Sequence, residues 1–465
     1  MLNTTDTICA VATCPGQGGV GVIRCSGPEA FRFCQIFTGC LPPARIMTRC
    51  DFFGLDGAVI DNGLVVVFSE PASFTGEDVV EFHTHGSPMV LQMLVEELLT
   101  SGARLARPGE FTERAFLNGK IDLLQAEAVA DLIVANSRAA AHAAAASLKG
   151  EFSKKVYILV DAFLSTRAQV EASIDFSDED IEFIQNDLLK NRLLYLENEL
   201  SQLINLAENG KRVKDGLRVV IVGFPNVGKS TFLNALVGDD VAIVTSIPGT
   251  TRDPIRQEIL LKGTPVFLVD TAGLRQSTDP VEEEGIRRAL AAVEDANHVL
   301  VMLDDSGESG PVSLQFEYIK HQLSTIQRKF DGDDDFEVIN NRLTRVLTKI
   351  DETGNKPGFS TDAQGTVIGI SALSGQGMQE IREYLHGLAS DAVADGAFSA
   401  RTRHVHALQQ SLNAIKQAQA SLVNGYGELV AEELRQGQQA LGKITGAVYT
   451  DDLLGEIFSR FCIGK

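Results

Sequence analysis

The chain has 465 residues, room for about three domains, and its 44% hydrophobic and 22% charged content is that of ordinary globular material. A net charge of −21 argues against broad, non-specific nucleic-acid binding and leaves room only for a local basic site. No apolar run is long enough to span a bilayer, and the N-terminus lacks a basic start followed by an apolar core, so a cytoplasmic protein with no membrane span is expected. The seven cysteines are odd in number and contain no C-x-x-C. This indicates neither a disulfide framework nor a zinc site, and most read as small buried hydrophobes.

Residues 1 to about 118 read as mixed α and β. Gly18 to Arg24 is a glycine turn entering a strand. Gly63 to Phe68 and Asp78 to Phe82 are further strands, and Met89 to Leu99 is a helix. His83 and His85 lie two apart, so on a strand they share a face. With no third ligand nearby, a structural or polar-contact role fits them better than a metal. From about residue 119 the texture changes to alanine-rich helix former, through Leu123 to Ala172. Leu189, Leu193, Leu196, Leu200 and Leu203 then recur at helical spacing as a bundle core, and Gly210 to Gly216 reads as a linker.

Val219 to Val222 is a short apolar run, the mark of a buried parallel strand. It leads into Gly223-Phe224-Pro225-Asn226-Val227-Gly228-Lys229-Ser230, which matches G-x-x-x-x-G-K-[ST] between a strand and a helix. Gly223 and Gly228 let the backbone wrap so that its N–H groups, from Asn226 through Thr231, face phosphate oxygens. The helix N-terminus adds to that field. Lys229 is placed to reach the β- and γ-phosphates, and Ser230 to ligate Mg²⁺.

Further signals follow in a fixed order. Gly249-Thr250-Thr251-Arg252-Asp253 lies where a switch loop closes over Mg²⁺ and the γ-phosphate. Asp270-Thr271-Ala272-Gly273 ends a strand; Asp270 suits a carboxylate behind Mg²⁺ and Gly273 a γ-phosphate sensor. Thr348-Lys349-Ile350-Asp351 follows another strand, with Asp351 placed to accept from guanine N1 and N2. Ser371-Ala372-Leu373 supplies a backbone contact to guanine O6. One such tetrapeptide is weak evidence, whereas the whole series in order points to GTP. Asp331 to Asp335 reads as a solvated acidic loop, since the other ligands of a calcium loop are missing. Helical texture returns after about residue 385, in Ala407 to Leu422 and Glu428 to Leu441.

Eight stretches carry a resemblance over essentially the whole length: DTICAVAT with GGVGVIR, SFTGEDVVEFHTHG, RPGEFTERAFLNGKIDLLQAEAVADLI, GFPNVGKST, GTTRD, DTAGLR, and the terminal FCIGK. The chain resembles the MnmE (TrmE) family of tRNA-modification GTPases. The resemblance implies an N-terminal α/β, folate-binding-like domain over 1–118 that also mediates homodimerisation. It implies a helical domain from about 119–215 and 386–465, with a Ras-like P-loop GTPase domain over 216–385 inserted in it. Such proteins act with the flavoprotein MnmG (GidA) on C5 of the wobble uridine, U34, of certain tRNAs. They add an aminomethyl or carboxymethylaminomethyl group, with carbon from a reduced folate of the 5-formyl- or methylene-tetrahydrofolate type. Carried over by motif, the folate contacts fall on Arg24, Glu81, Lys120 and Lys465. Cys462 matches the family's tail cysteine, and a chemical role and a packed small residue stand level for it.

The resemblance also implies how GTP is hydrolysed. Leu274 stands where Ras-like enzymes keep the glutamine that orients water. The family's glutamate maps to Glu282, although Glu283 and Glu284 adjoin it and acids favour a helix N-terminus in any case. K⁺ would take the place of an arginine finger, held by Asn226, Thr245, Ile247 and Thr250 in a loop that includes Ser246, Pro248 and Gly249. Mg²⁺ would be held by Ser230 and Thr251, and the two nucleotide domains of the dimer would meet face to face. Thr348 departs from the usual asparagine, so the base loop loses a bracing carboxamide and guanine recognition rests on Asp351. A GTP-controlled ribosome-assembly factor is the competing reading, disfavoured by the acidic chain and the FCIGK tail. A purely regulatory subunit, with all chemistry on the flavoprotein, stays open.

Overall fold

The computed structural model describes residues 6–135, 137–175, 187–237, 256–261, 264–270, 293, 296–330, 342–362, 365–390, 398–459, 461 and 464. The chain divides into two compact units, one of residues 1–133, 145–204 and 403–465, the other of 134–144 and 205–402.

The first unit is built on a six-stranded sheet of β1 (Ile8–Val11), β2 (Gly18–Ser26), β3 (Thr48–Phe53), β4 (Val59–Phe68), β5 (Val79–Gly86) and β6 (Arg104–Leu105), in the order β3-β4-β5-β2-β1-β6. All pairings are antiparallel except β1 with β6. Alternation along the strands decides what each face meets. Ile23, Cys25, Val80 and Phe82 point to one face, where helices Ala30–Thr38 and Pro88–Thr100 close a core with Phe33, Phe37, Leu94 and Leu98. The residues between them, Arg24 and Glu81, are register partners and are left for the other face. The strand that begins at Gly18 absorbs the expected glycine turn, with a register shift between Gly18 and Gly21.

The helices of this unit approach closely where small residues permit. Gly437 lies in helix Gly427–Thr445, and a Cβ there would sit 2.4 Å from the Phe163 ring of helix Glu151–Asp175. Glu127, on helix Leu123–Ile133, is fully buried and takes charged hydrogen bonds from Arg403 at 2.7 and 2.8 Å. The His404 imidazole lies 2.8 Å away, so one carboxylate ties the early helix to helix Thr402–Val423.

The second unit carries a seven-stranded sheet of β7 (Leu217–Gly223), β8 (Arg256–Leu261), β9 (Thr264–Asp270), β10 (His298–Asp304), β11 (Leu343–Thr348), β12 (Gly358–Asp362) and β13 (Gly365–Gly369). The order is β12-β13-β11-β10-β7-β9-β8, parallel but for the edge strands β8 and β12. Both faces of β7 and β10 are covered, which is why both read as unbroken apolar runs.

One sequence expectation fails here. Gly210 to Asp215 is not a linker but the end of helix Asp187–Asp215. A Cβ at Gly210 would fall 1.9 Å from the Phe398 carbonyl oxygen, so this glycine serves a close backbone approach, not a turn. The acidic loop 331–335 lies outside the described residues.

Candidate functional site

The site is assembled at the carboxyl ends of β7, β11 and β13, where open α/β sheets place their ligands. Strand β7 runs between β10 and β9 and delivers Gly223 against β10. A Cβ on Gly223 would meet the Met302 carbonyl oxygen at 2.7 Å and the Val227 side chain at 3.0 Å, so only glycine fits. The loop then turns through Asn226 at φ 65° and Gly228 at φ 95°, both left-handed, and enters helix Lys229–Val237. Val227 is buried and pins the loop from below, while Asn226, Ser230 and Thr231 are exposed on it. The Lys229 ammonium donates to the carbonyls of Gly223 at 3.1 Å and Phe224 at 3.0 Å, which holds it along the loop.

The loop expected from sequence to read the base follows β11. Thr348 is buried, and its hydroxyl donates to the Leu303 carbonyl on β10 at 3.1 Å. The threonine thus spends its one donor inside the sheet. Lys349 adopts a left-handed φ of 58°, and its ammonium reaches Asp304 at 3.1 Å and Glu308 at 2.9 Å. Burial alone would raise the Asp304 carboxyl, but hydrogen bonds from Ser306 and Lys349 hold it below the usual range. Asp351 is exposed in the short helix Ile350–Thr353. After β13, Ser371 is buried, its hydroxyl accepts from the Ser374 N–H at 3.1 Å, and Leu373 is exposed at the turn beside Ala372. Asp270 ends β9 in register with Ile221, at the same carboxyl end of the sheet as the phosphate loop. Thr245 to Thr251, Thr271, Ala272, Gly273, Leu274 and Glu282 to Glu284 lie outside the described residues.

A second constellation occupies the face of the N-terminal sheet left free by its two helices. Arg24 donates to Glu81 from Nε at 2.8 Å and from Nη2 at 2.7 Å. The His83 imidazole lies 3.4 Å from the same carboxylate. Burial pushes the Glu81 carboxyl up, but His83 and Arg24 together hold it below its ordinary value. The Arg24 guanidinium lies 5.6 Å from the Phe111 ring and 5.9 Å from that of Phe74. Lys120 donates to the Pro71 carbonyl at 2.7 Å, which ties it to the loop carrying Phe74.

The chain's far end also arrives here. Gly464, at φ 92°, packs so tightly that a Cβ would fall 2.3 Å from the Val11 carbonyl oxygen, and Val11 adjoins the register partner of Arg24 on β1. Cys462 and Lys465 lie outside the described residues. Phe74, Phe111 and His83 were not singled out as site residues from sequence. For His83 the signal was its two-residue spacing from Glu81 on a strand; the two phenylalanines gave none. His85, exposed further along β5, pairs instead with Asp61 at 2.8 Å.

Sheet order and phosphate loop define a Ras-like P-loop GTPase carrying a separate N-terminal α/β sheet and a helical region. A sequence model of the MnmE helical domain matches residues 123–462, and one of the GTP-binding protein TrmE N-terminus matches residues 7–120. The tRNA modification GTPase MnmE of Stutzerimonas stutzeri is 46% identical over 100% of both chains. That of Saccharophagus degradans is 43% identical over 99% of both, and that of Nitrosococcus oceani 46% over 99% of this chain and 97% of its own. Among solved structures, the G domain of the T. maritima FeoB iron transporter is 21% identical over 37% of this chain and 98% of its own, with a TM-score of 0.26. The chain belongs to the MnmE family of tRNA modification GTPases. Among the described residues, no helix is long and apolar enough to cross a membrane.

Proposed function

We propose that this protein is a K⁺-stimulated GTPase whose hydrolysis cycle serves the modification of C5 of the wobble uridine, U34, in certain tRNAs. It acts as a homodimer in the cytoplasm, together with a flavoprotein of the MnmG type, and adds an aminomethyl or carboxymethylaminomethyl group. The GTPase domain spans residues 216–385, inserted between helical segments 119–215 and 386–465 and preceded by the folate-binding and dimerisation domain 1–118. The observation that carries the reading is the phosphate loop, with Gly223 admitted only as glycine and Lys229 held along it.

Exposed Ser230 at the helix start suits an oxygen ligand of Mg²⁺, with Thr251 as the second. Exposed Asn226, on its left-handed backbone, suits K⁺, with Thr245, Ile247 and Thr250 completing the set. A monovalent cation there supplies positive charge where phosphoryl transfer needs it. Lys229 binds the phosphates and Glu282 orients water. Arg24 and Glu81, side by side, with the exposed Phe74 ring next to Arg24 and the buried Phe111 ring behind it, offer donors, an acceptor and one aromatic face, a set that fits a reduced folate's flat ring system. Lys120 and Lys465 suit its carboxylates.

GTP turnover is expected to be markedly faster in KCl than in NaCl. Asn226→Ala should remove most of that difference, roughly a hundredfold at full K⁺ by the usual worth of one such electrostatic contact, with nucleotide binding largely kept. Equal rates in both salts would end the K⁺ mechanism and leave the GTPase standing. Mass spectrometry of tRNA from a strain lacking this gene tests the wider reading, since unmodified U34 is expected and normal U34 refutes it.

A further inference from the structure

Five of the six described cysteines crowd the N-terminal sheet and its first helix, and two of them meet sulfur to sulfur. Cys40 follows helix Ala30–Thr38, which Gly39 ends in a left-handed turn at φ 69°. Cys50 lies on the edge strand β3, opposite Gly63. Their Sγ atoms are 3.6 Å apart, which is van der Waals contact without a bond. The Thr38 hydroxyl, 2.8 Å from the Cys34 carbonyl and 2.9 Å from that of Cys40, fixes the turn that presents Cys40. Cys40 is exposed, whereas Cys50 is buried behind it. Cys9 and Cys25 also face each other across two strands, but both are fully buried.

We propose that Cys40 and Cys50 form a peroxide-sensitive dithiol, with Cys40 the sulfur that meets the oxidant and Cys50 the one that resolves it. Peroxide oxidises the Cys40 thiol to a sulfenic acid and leaves as water. The Cys50 sulfur then attacks Cys40 Sγ and expels the new hydroxyl as a second water, giving a disulfide. Two thiols and one hydrogen peroxide thus yield one disulfide and two waters. A thiol reductant reverses the step. Burial pushes the thiols of Cys50 and Cys34 up to about 11, in keeping with Cys40 as the first to react. Exposed Cys14 has no sulfur partner among the described residues and serves as an internal control.

The test uses the full chain, treated with a small molar excess of hydrogen peroxide, alkylated, digested without reductant and mapped by mass. A Cys40–Cys50 cross-link about 2 Da lighter than its two thiol peptides is expected, and dithiothreitol should remove it. Cys50→Ser should instead leave Cys40 as a sulfenic acid that dimedone captures, and Cys14→Ser should leave the cross-link unchanged. The wild-type map is decisive even if Cys50→Ser folds poorly. Recovery of both thiols alkylated, a cross-link to Cys34 instead, or Cys40 found only as sulfinic acid would overturn the proposal.

Discussion

Gly223 sets the tolerance of the phosphate loop. The space a Cβ would need is taken by the Met302 carbonyl oxygen at 2.7 Å, and that carbonyl belongs to a central strand that cannot give way. Gly223→Ala should therefore cost about 1–3 kcal/mol and weaken GTP binding at least tenfold, measurable by a fluorescent-nucleotide titration. His298 opens β10 and is buried, with Nε2 2.9 Å from the Thr344 hydroxyl and 3.3 Å from that of Tyr384. Burial pulls its pKa from 6.5 down to about 4. Below pH 6.5 the unfolded chain takes up a proton that the folded one refuses until about pH 4, so His298 costs stability as pH falls through that window. The full loss approaches roughly 3 kcal/mol. The melting temperature should fall between about pH 7 and about pH 4.5, and His298→Phe should flatten that dependence. An unchanged slope would mean that the imidazole stays accessible.

At the scale of elements, Glu127 joins helices that are far apart in the chain. Burial alone would raise its carboxyl, but His404 and Arg403 hold it well below the usual carboxylate range. A carboxylate with a depressed folded pKa stabilises above its unfolded value, 4.5, and loses that contribution as pH falls below it. Glu127→Ala removes the carboxylate that Arg403 and the buried His404 share, while Arg403 keeps the carbonyls of Lys443 and Ile444. It should cost about 3–5 kcal/mol, seen as a lower melting temperature at neutral pH and a smaller penalty in acid. Equal melting temperatures at neutral pH would show that the triad is neutral in energy. Gly210 teaches a related lesson. A glycine beside Lys211 and Arg212 reads as a break in a helix, yet here the helix continues, because what needs the missing Cβ is a distant carbonyl at 398.

At the scale of the molecule, the C-terminal tail returns to the first strand of the chain. Phe461 packs on Phe458 at 5.4 Å, a Cβ on Gly109 would lie 2.8 Å from the Phe458 carbonyl, and Gly464 touches Val11. Deletion of residues 461–465 should thus weaken reduced-folate binding to the full-length protein at least tenfold while leaving GTP affinity within about twofold, a contrast that two calorimetric titrations would read. Loss of both would point to general misfolding, and loss of neither would remove the tail from the proposed folate site.

The sequence by itself determined whatever is local. The phosphate loop was legible from residues 223–230 because one strand, one turn and one helix contain all of its chemistry, and the parallel core strands betrayed themselves as apolar runs. That Thr348 had lost a carboxamide was also legible, but that its hydroxyl is spent on Leu303 needed β10 laid beside β11. The register that sets Arg24 against Glu81, the rings of Phe74 and Phe111 beside Arg24, the tail at Val11 and the sulfur contact of Cys40 with Cys50 were decided only by tertiary structure. Each joins side chains through the packing of separate elements, and periodicity along one element carries no information about which partner will face it.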